Sequence, residues 1–329
     1  MLAILAPGQG AQTPGQLRPW LELDGVESRL RWYSTAVGLD LIDLGCEADA
    51  DTIRDTAVAQ PLIVANGLLA AEQLGLLPAS PAVAAGGQAL VAGHSVGEIT
   101  AAAIAGSLTP EAALLFVGLR GRAMAEASAR TPTGMTALLG GDPEEIATAV
   151  EALGLTAANR NGAGQIVAAG TLADLTRLAD APPPGAKLRP LSVAGAFHTQ
   201  HMAPARDALR AVAPGIQPGT PALGQLSNAD GALVHDGADL VARLVTQVAA
   251  PVRWDLCLAA MREAGVTAVI ELPPAGTLAG IARRELRGTK IVAVKTPADL
   301  DAARELVAEH LPAAAAVPAQ AAPLVGASS

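Results

Sequence analysis

The chain has 329 residues, 51% of them apolar and 16% charged, enough to bury a full hydrophobic core, which excludes wholesale disorder. Aromatic residues make up only 2%, so that core must be built from Ala, Leu, Val and Ile. A formal charge of −9, with no run rich in Lys and Arg, argues against a nucleic-acid partner.

In chain order, LAILA at 2–6 is a continuous apolar run ended by Pro7 and Gly8, as for a buried strand feeding a loop. No basic residue precedes it, so it reads as a first strand and not as a signal peptide, and the cytoplasm is the expected compartment. Two helical patterns follow, WLELDGVESRLRWYSTAVG and ADTIRDTAVAQPLIVANGLLAAEQLG, the second expected to break at Pro61. LVAG at 90–93 is a second strand, and EITAAAIAG and PEAALLFVGLRGRAMAEASA are helices, with Pro110 at the first helical position. Strands separated by helices predict an α/β fold with a parallel sheet. His94, Glu98 and Pro110 interrupt the most apolar region, so no membrane span is expected.

The texture changes near residue 130. GMTALLGG, DPEEIATAVEALG, LTAANRN, GQIVAAG and TLADLTRLAD alternate short strands with two helices, a split β-α-β module of ferredoxin-like size. PPPG at 182–185 closes the second helix, and KLRPLSVAGAFH begins another strand. The chain then returns to helix and strand through LVARLVTQVAAPVRW, VTAVIELPP and TKIVAV. The expected organisation is a discontinuous large domain, 1–126 and 198–311, carrying a small inserted domain at 127–197. From Pro312 the sequence is Ala and Pro with almost no charge, so 312–329 is expected to be a flexible tail. Cys46 and Cys257 have neither CxxC spacing nor a nearby His pair, so neither a disulfide framework nor a metal site is expected, only reduced core thiols.

GHSVG at 93–97 fits the GxSxG elbow, in which a sharp strand-to-helix turn lifts a serine hydroxyl above the sheet edge. Ser95 is then a candidate nucleophile and the backbone N–H of Val96 an oxyanion donor; the alternative is a glycine-rich helix start with an unreactive serine. Of five histidines, His198 in GAFHTQHM is the candidate base, because it ends a strand just after the small module, and His201 is the fallback. His94 adjoins the serine, but on an elbow the preceding side chain is expected to point elsewhere; His235 and His310 read as solvated. PGQGAQ at 7–12 lacks the third glycine of GxGxxG, so a dinucleotide reading fails. Gln9 is instead placed to give a second oxyanion N–H, with a plain tight turn as the alternative.

Taken together, GQGAQ, GHSVGE, LRG at 119–121, GAFHT and QVAAPVRW resemble, in order and spacing, the malonyl-CoA:acyl carrier protein transacylases, in particular the free-standing actinobacterial enzymes. The resemblance runs from residue 1 to about 311 and implies an α/β-hydrolase-like large domain with an inserted ferredoxin-like small domain. It implies that Ser95 is acylated, that His198 is its base and then its acid, and that Gln9 and Val96 form the oxyanion hole. It further implies that Gln247 orients the histidine through its backbone carbonyl in place of a triad aspartate. Arg120 matches the arginine that pairs with the malonyl carboxylate, a role suited to a planar guanidinium with two parallel donors. Asn161 matches a pocket residue, with Asn159 competing for the role, and Phe197 resembles the malonyl-type loop. The ELPPAG turn at 271–276 departs from the family's GPG-like turn at Pro274 and Ala275.

The implied reaction is ping-pong transfer of a malonyl group from malonyl-CoA to the phosphopantetheine thiol of a holo acyl carrier protein, by a monomer without metal or cofactor. Two other readings stand beside it: a thioesterase or other serine hydrolase, and a silent module that docks carriers. Docking an acidic carrier needs a local basic patch, for which Lys187, Arg189, Arg283, Arg284 and Arg287 are candidates.

Overall fold

A computed structural model describes residues 1–78, 89–193 and 195–311. The expected tail at 312–329 lies outside the described residues. The first sheet contains β1 (Leu2–Ala6), β2 (Ala89–Gly93), β7 (Gly224–Leu226), β8 (Leu233–Val234), β10 (Ala268–Glu271) and β11 (Lys290–Ala293). Their order is β11-β10-β1-β2-β7-β8, parallel throughout except for the β7–β8 pair.

LAILA works as a central strand because both of its faces are covered. Leu2 and Ile4 enter one core and Ala3 and Leu5 another, the alternation that a pleated strand imposes. The first core is closed by α1 (Val26–Val37), α2 (Leu41–Cys46), α3 (Thr56–Gln73), α4 (Gly97–Ala105) and α5 (Pro110–Arg130). The second is closed by α10 (Trp254–Glu263) and α11 (Thr277–Glu285), through Trp254, Cys257, Leu258, Leu278 and Ile281.

The second sheet takes β3 (Thr133–Leu139), β4 (Thr156–Gly162), β5 (Gln165–Thr171), β6 (Lys187–Pro190) and β9 (Val252–Arg253), in the order β6-β3-β5-β4-β9. With α6 (Pro143–Ala152) after β3 and α7 (Leu172–Asp180) after β5, its first four strands have the ferredoxin-like connection, all pairs antiparallel. Leu138, Ile166 and Ala168 pack under α6 and α7 in a core of their own, whereas Met135, Ala137 and Val167 on the opposite face join the core of the large sheet. Among the described residues the remaining α-helices are α8 (Ala203–Val212), α9 (Gly237–Gln247) and α12 (Leu300–His310).

Two expectations are corrected. Pro61 does not break its helix: α3 runs unbroken from Thr56 to Gln73. The proline sits in the second turn, so its missing N–H forfeits only a bond to Ala57, while burial on nearly every side keeps the helix continuous through it. α5 likewise continues to Arg130, past the boundary expected at 127, because nothing in the segment opposes a helix before Thr131 and Pro132. β9, from outside 127–197, pairs in parallel with β4.

Candidate active site

The carboxyl ends of β1 and β2 open into a cavity of about 210 Å³ between the two sheets. β2 stops at Gly93, and Ser95 turns the chain at φ 53° before α4 begins at Gly97. Neither glycine is replaceable there: a Cβ on Gly93 would lie 1.9 Å from the carbonyl carbon of Gly97, and one on Gly97 2.2 Å from Ala6 O. The turn therefore needs GxSxG, and it presents the serine hydroxyl to the cavity.

His198 stands opposite, also at positive φ, 61°. Its Nε2 is 2.7 Å from Ser95 Oγ, and its Nδ1 is 2.8 Å from the backbone oxygen of Gln247. A carbonyl only accepts, so Nδ1 carries the proton and Nε2 is left to accept from the serine. Burial, with the nearby charge of Arg120, lowers the His198 pKa to about 3, which keeps the imidazole neutral and able to take a proton.

Arg120 comes from α5 and is 1% exposed. Nη1 donates to Gln60 Oε1 at 2.7 Å; Nη2 donates to Gln247 Oε1 at 3.1 Å and to Ser95 Oγ at 3.2 Å. Its partners are amide and hydroxyl oxygens. Burial lowers its pKa to about 10, against the opposing pull of Glu98, so it remains a cation at neutral pH with capacity for an anion.

Beneath the serine, Ser95 N–H donates to Asn228 Oδ1 at 2.8 Å, and Asn228 Nδ2 donates to Gly93 O at 2.8 Å. Gln247 Nε2 donates to Ser95 O at 3.1 Å and to Glu98 Oε2. Gln9 and Val96 both line the cavity, and the Gln9 side chain is tied away from it toward Arg54 O and Thr56 Oγ1. On the facing wall, Asn161 Oδ1 is 2.8 Å from His94 Nε2, and Asn161 Nδ2 donates to Gln165 Oε1 at 3.1 Å. Phe197 and Asn159 complete the lining with Met124 and Met135.

Ser95, His198, Gln9, Val96, Arg120, Asn161, Phe197 and Gln247 thus meet around one cavity or directly behind it. His94 does not point elsewhere: it lines the cavity, packed edge-on against Trp254 at 5.7 Å, because Asn161 gives its ring a polar partner. His201, the fallback base, sits on a 3-10 turn away from the serine, and His235 is exposed. Sequence reading missed Gln60 and Asn228. Gln60 carries one signal, a polar residue in a helix apolar on every face; Asn228, inside SNADG, resembles any turn asparagine.

A serine hydroxyl on a neutral, oriented imidazole, with a guanidinium beside it that bonds amide and hydroxyl oxygens, suits attack on an acyl group that carries a carboxylate. Residues 21–315 match the family model described as the acyl transferase domain. The malonyl CoA-acyl carrier protein transacylase of Mycobacterium tuberculosis is 54% identical over 301 residues, 92% of this chain and 98% of that one. The protein of the same name from Mycolicibacterium smegmatis is 50% identical over 88% of this chain and 100% of its own. Among solved structures, MCAT from Mycobacterium tuberculosis superposes with a TM-score of 0.87, covering 92% of this chain and 99% of that one at 54% identity. A malonyl-transacylase solved in complex with its type II PKS acyl-carrier protein gives 0.83 at 30% identity, covering 93% and 99%.

Proposed function

The chain belongs to the acyl transferase domain family, and from that premise we propose that it moves a malonyl group from malonyl-CoA to the phosphopantetheine thiol of an acyl carrier protein. The enzyme is a malonyl-CoA:acyl carrier protein transacylase, serving fatty acid or polyketide synthesis. Ser95 Oγ attacks the thioester carbonyl while its proton passes to His198 Nε2. The backbone N–H groups of Gln9 and Val96 hold the tetrahedral oxyanion. The C–S bond then breaks and the imidazolium returns the proton to the departing CoA sulfur. The carrier thiol repeats these steps in reverse, giving its proton to His198, taking the malonyl group and restoring Ser95.

One observation carries the reading: the Arg120 guanidinium lies 3.2 Å from Ser95 Oγ, and among the described residues no carboxylate bonds to it directly. A neutral acyl group would leave that buried cation unpaired, whereas a malonyl carboxylate pairs with it bidentately. Asn161 and Phe197 shape the wall against which the acyl group lies. Lys187, Arg189, Arg283, Arg284 and Arg287 are exposed, and the α11 residues Thr277, Leu278 and Ile281 reach the cavity, which favours an acidic carrier approaching along α11.

The chain divides, on this reading, into a large catalytic domain and a small domain built on β3 to β6, and acts as a monomer in the cytoplasm. Among the described residues no helix is long and apolar enough to cross a membrane. Incubation with malonyl-CoA, with and without holo carrier protein, tests the proposal by intact mass. A malonyl adduct lost in Ser95→Ala and passed to the carrier is expected. Rapid release of free malonate with no loaded carrier would make the protein a hydrolase, and failure to form any adduct would make it a silent docking module.

A further inference from the structure

Glu98 opens the first turn of α4 three residues beyond the serine, and it is 1% exposed. Its place at a helix start accounts for an acidic residue but not for burial, which is costly for a carboxylate unless its oxygens are occupied. Both oxygens are engaged: Oε1 accepts the backbone N–H of Asn228 at 2.7 Å, and Oε2 accepts Gln247 Nε2. Gln247 in turn touches every working part of the site. Its backbone oxygen takes His198 Nδ1–H, its Nε2 also reaches Ser95 O, and its Oε1 accepts from Arg120.

The Gln247 amide therefore sits between a carboxylate and a guanidinium. With its NH₂ end toward Glu98 and its oxygen toward Arg120, both contacts are attractive. Turned over, the amide would set oxygen against carboxylate and NH₂ against cation, two repulsions in a site that water does not screen.

We propose that Glu98 is a positioning residue for acyl transfer: its carboxylate fixes which way the Gln247 amide faces, and so holds Arg120 and the His198 acceptor in register with Ser95. The proposal rests on the reading of Ser95 as the acylated nucleophile. Through Asn228, the same carboxylate also secures the acceptor of the Ser95 N–H.

Only the ionised form can do this. A protonated carboxyl would turn an O–H donor toward one of two donors, Asn228 N–H or Gln247 NH₂, and one bond would be lost. Burial raises Glu98 to about 7. The charged groups around it do not titrate in its place. Arg120 on α5 stays a cation, and burial holds the Cys257 thiol on α10 protonated. Burial also pushes the pKa values of His94 and His198 down, away from the neutral range in which Glu98 titrates. On the far side a cavity of about 310 Å³ reaches Glu98 and Gln247, rimmed by Asp239 and Arg243 of α9, where Arg243 is paired with Asp239 and Asp230.

The test is single-turnover malonylation of Ser95 by rapid quench from about pH 5 to about pH 8.5, with wild type and Glu98→Gln. The wild-type rate should fall below about pH 7 and level off about tenfold lower, near the rate of the variant, an acid limb that a histidine held near 3 does not supply. Gln has one acceptor where two donors need one each, so the variant should be about tenfold slower near pH 8 and flat with pH. Its KM for malonyl-CoA should not rise, because Arg120 keeps its charge. Equal rates in the two proteins above that limb, a wild-type limb persisting in the variant, or a loss confined to KM would each overturn the proposal. Should Glu98→Gln melt below the assay temperature, Glu98→Asp replaces it: the shorter carboxylate should lower the rate and keep the limb, and a flat profile would overturn the proposal. A wild-type enzyme that forms no Ser95 adduct at any pH defeats the underlying reading itself, a result distinct from adduct formation that ignores Glu98.

Discussion

The cavity has two unlike walls. On the side of the large sheet, polar atoms are linked one to the next: Ser95, His198, Gln247, Arg120, Gln60, Glu98 and Asn228 form a continuous hydrogen-bonded set. On the side of the small sheet Met135, Ala137 and Val167 line the cavity beside three amides, Asn159, Asn161 and Gln165, of which Asn161 bonds Gln165 and reaches across to His94 at the end of β2. The difference teaches how the labour is divided. Groups that must hold and move protons sit where their neighbours fix them; the other wall supplies shape and can change with less effect on the chemistry.

Substitutions on the two walls can break that contrast. The largest effect is expected from His198→Ala, which removes the base while leaving the cavity open; kcat for malonyl transfer should drop by about 10³-fold or more in steady-state assays. A loss under about tenfold would mean that the linked wall is not where the proton moves. Arg120→Ala comes next. It should cut malonyl transfer about 100-fold but acetyl transfer far less, since only the malonyl group presents a carboxylate to pair. Equal losses with malonyl-CoA and acetyl-CoA would show that the arginine organises the wall without reading the substrate. The smallest effect belongs to the facing wall: Asn161→Ala frees His94 and should raise KM by about fivefold with kcat nearly unchanged. A kcat collapse there would erase the distinction between the walls.

What the sequence reveals follows the same division. The elbow is legible because its requirements are local: two glycines are needed within five residues, and both are there. The antiparallel sheet is legible from alternating short strands. Distant pairings are not. Asn228 meets the Ser95 amide across 133 residues, and Gln60 meets Arg120 across 60, each from a segment whose own pattern signals only a turn or a buried helix. Pro61 misleads for a related reason, since local propensity is overridden where tertiary burial encloses the whole helix. The strand at 252–253 is too short to carry any period.

Ser95 at φ 53° and His198 at φ 61°, the proposed nucleophile and base, both occupy the left-handed region that side chains with a Cβ avoid at a cost of about 1 kcal/mol each. Glycine would sit at position 95 without that penalty. A library of this gene screened only for heat resistance should therefore drift toward Ser95→Gly, enriching clones that fold better and catalyse nothing. Any campaign to harden this enzyme has to score turnover alongside melting, because at its central turn the two are set against each other.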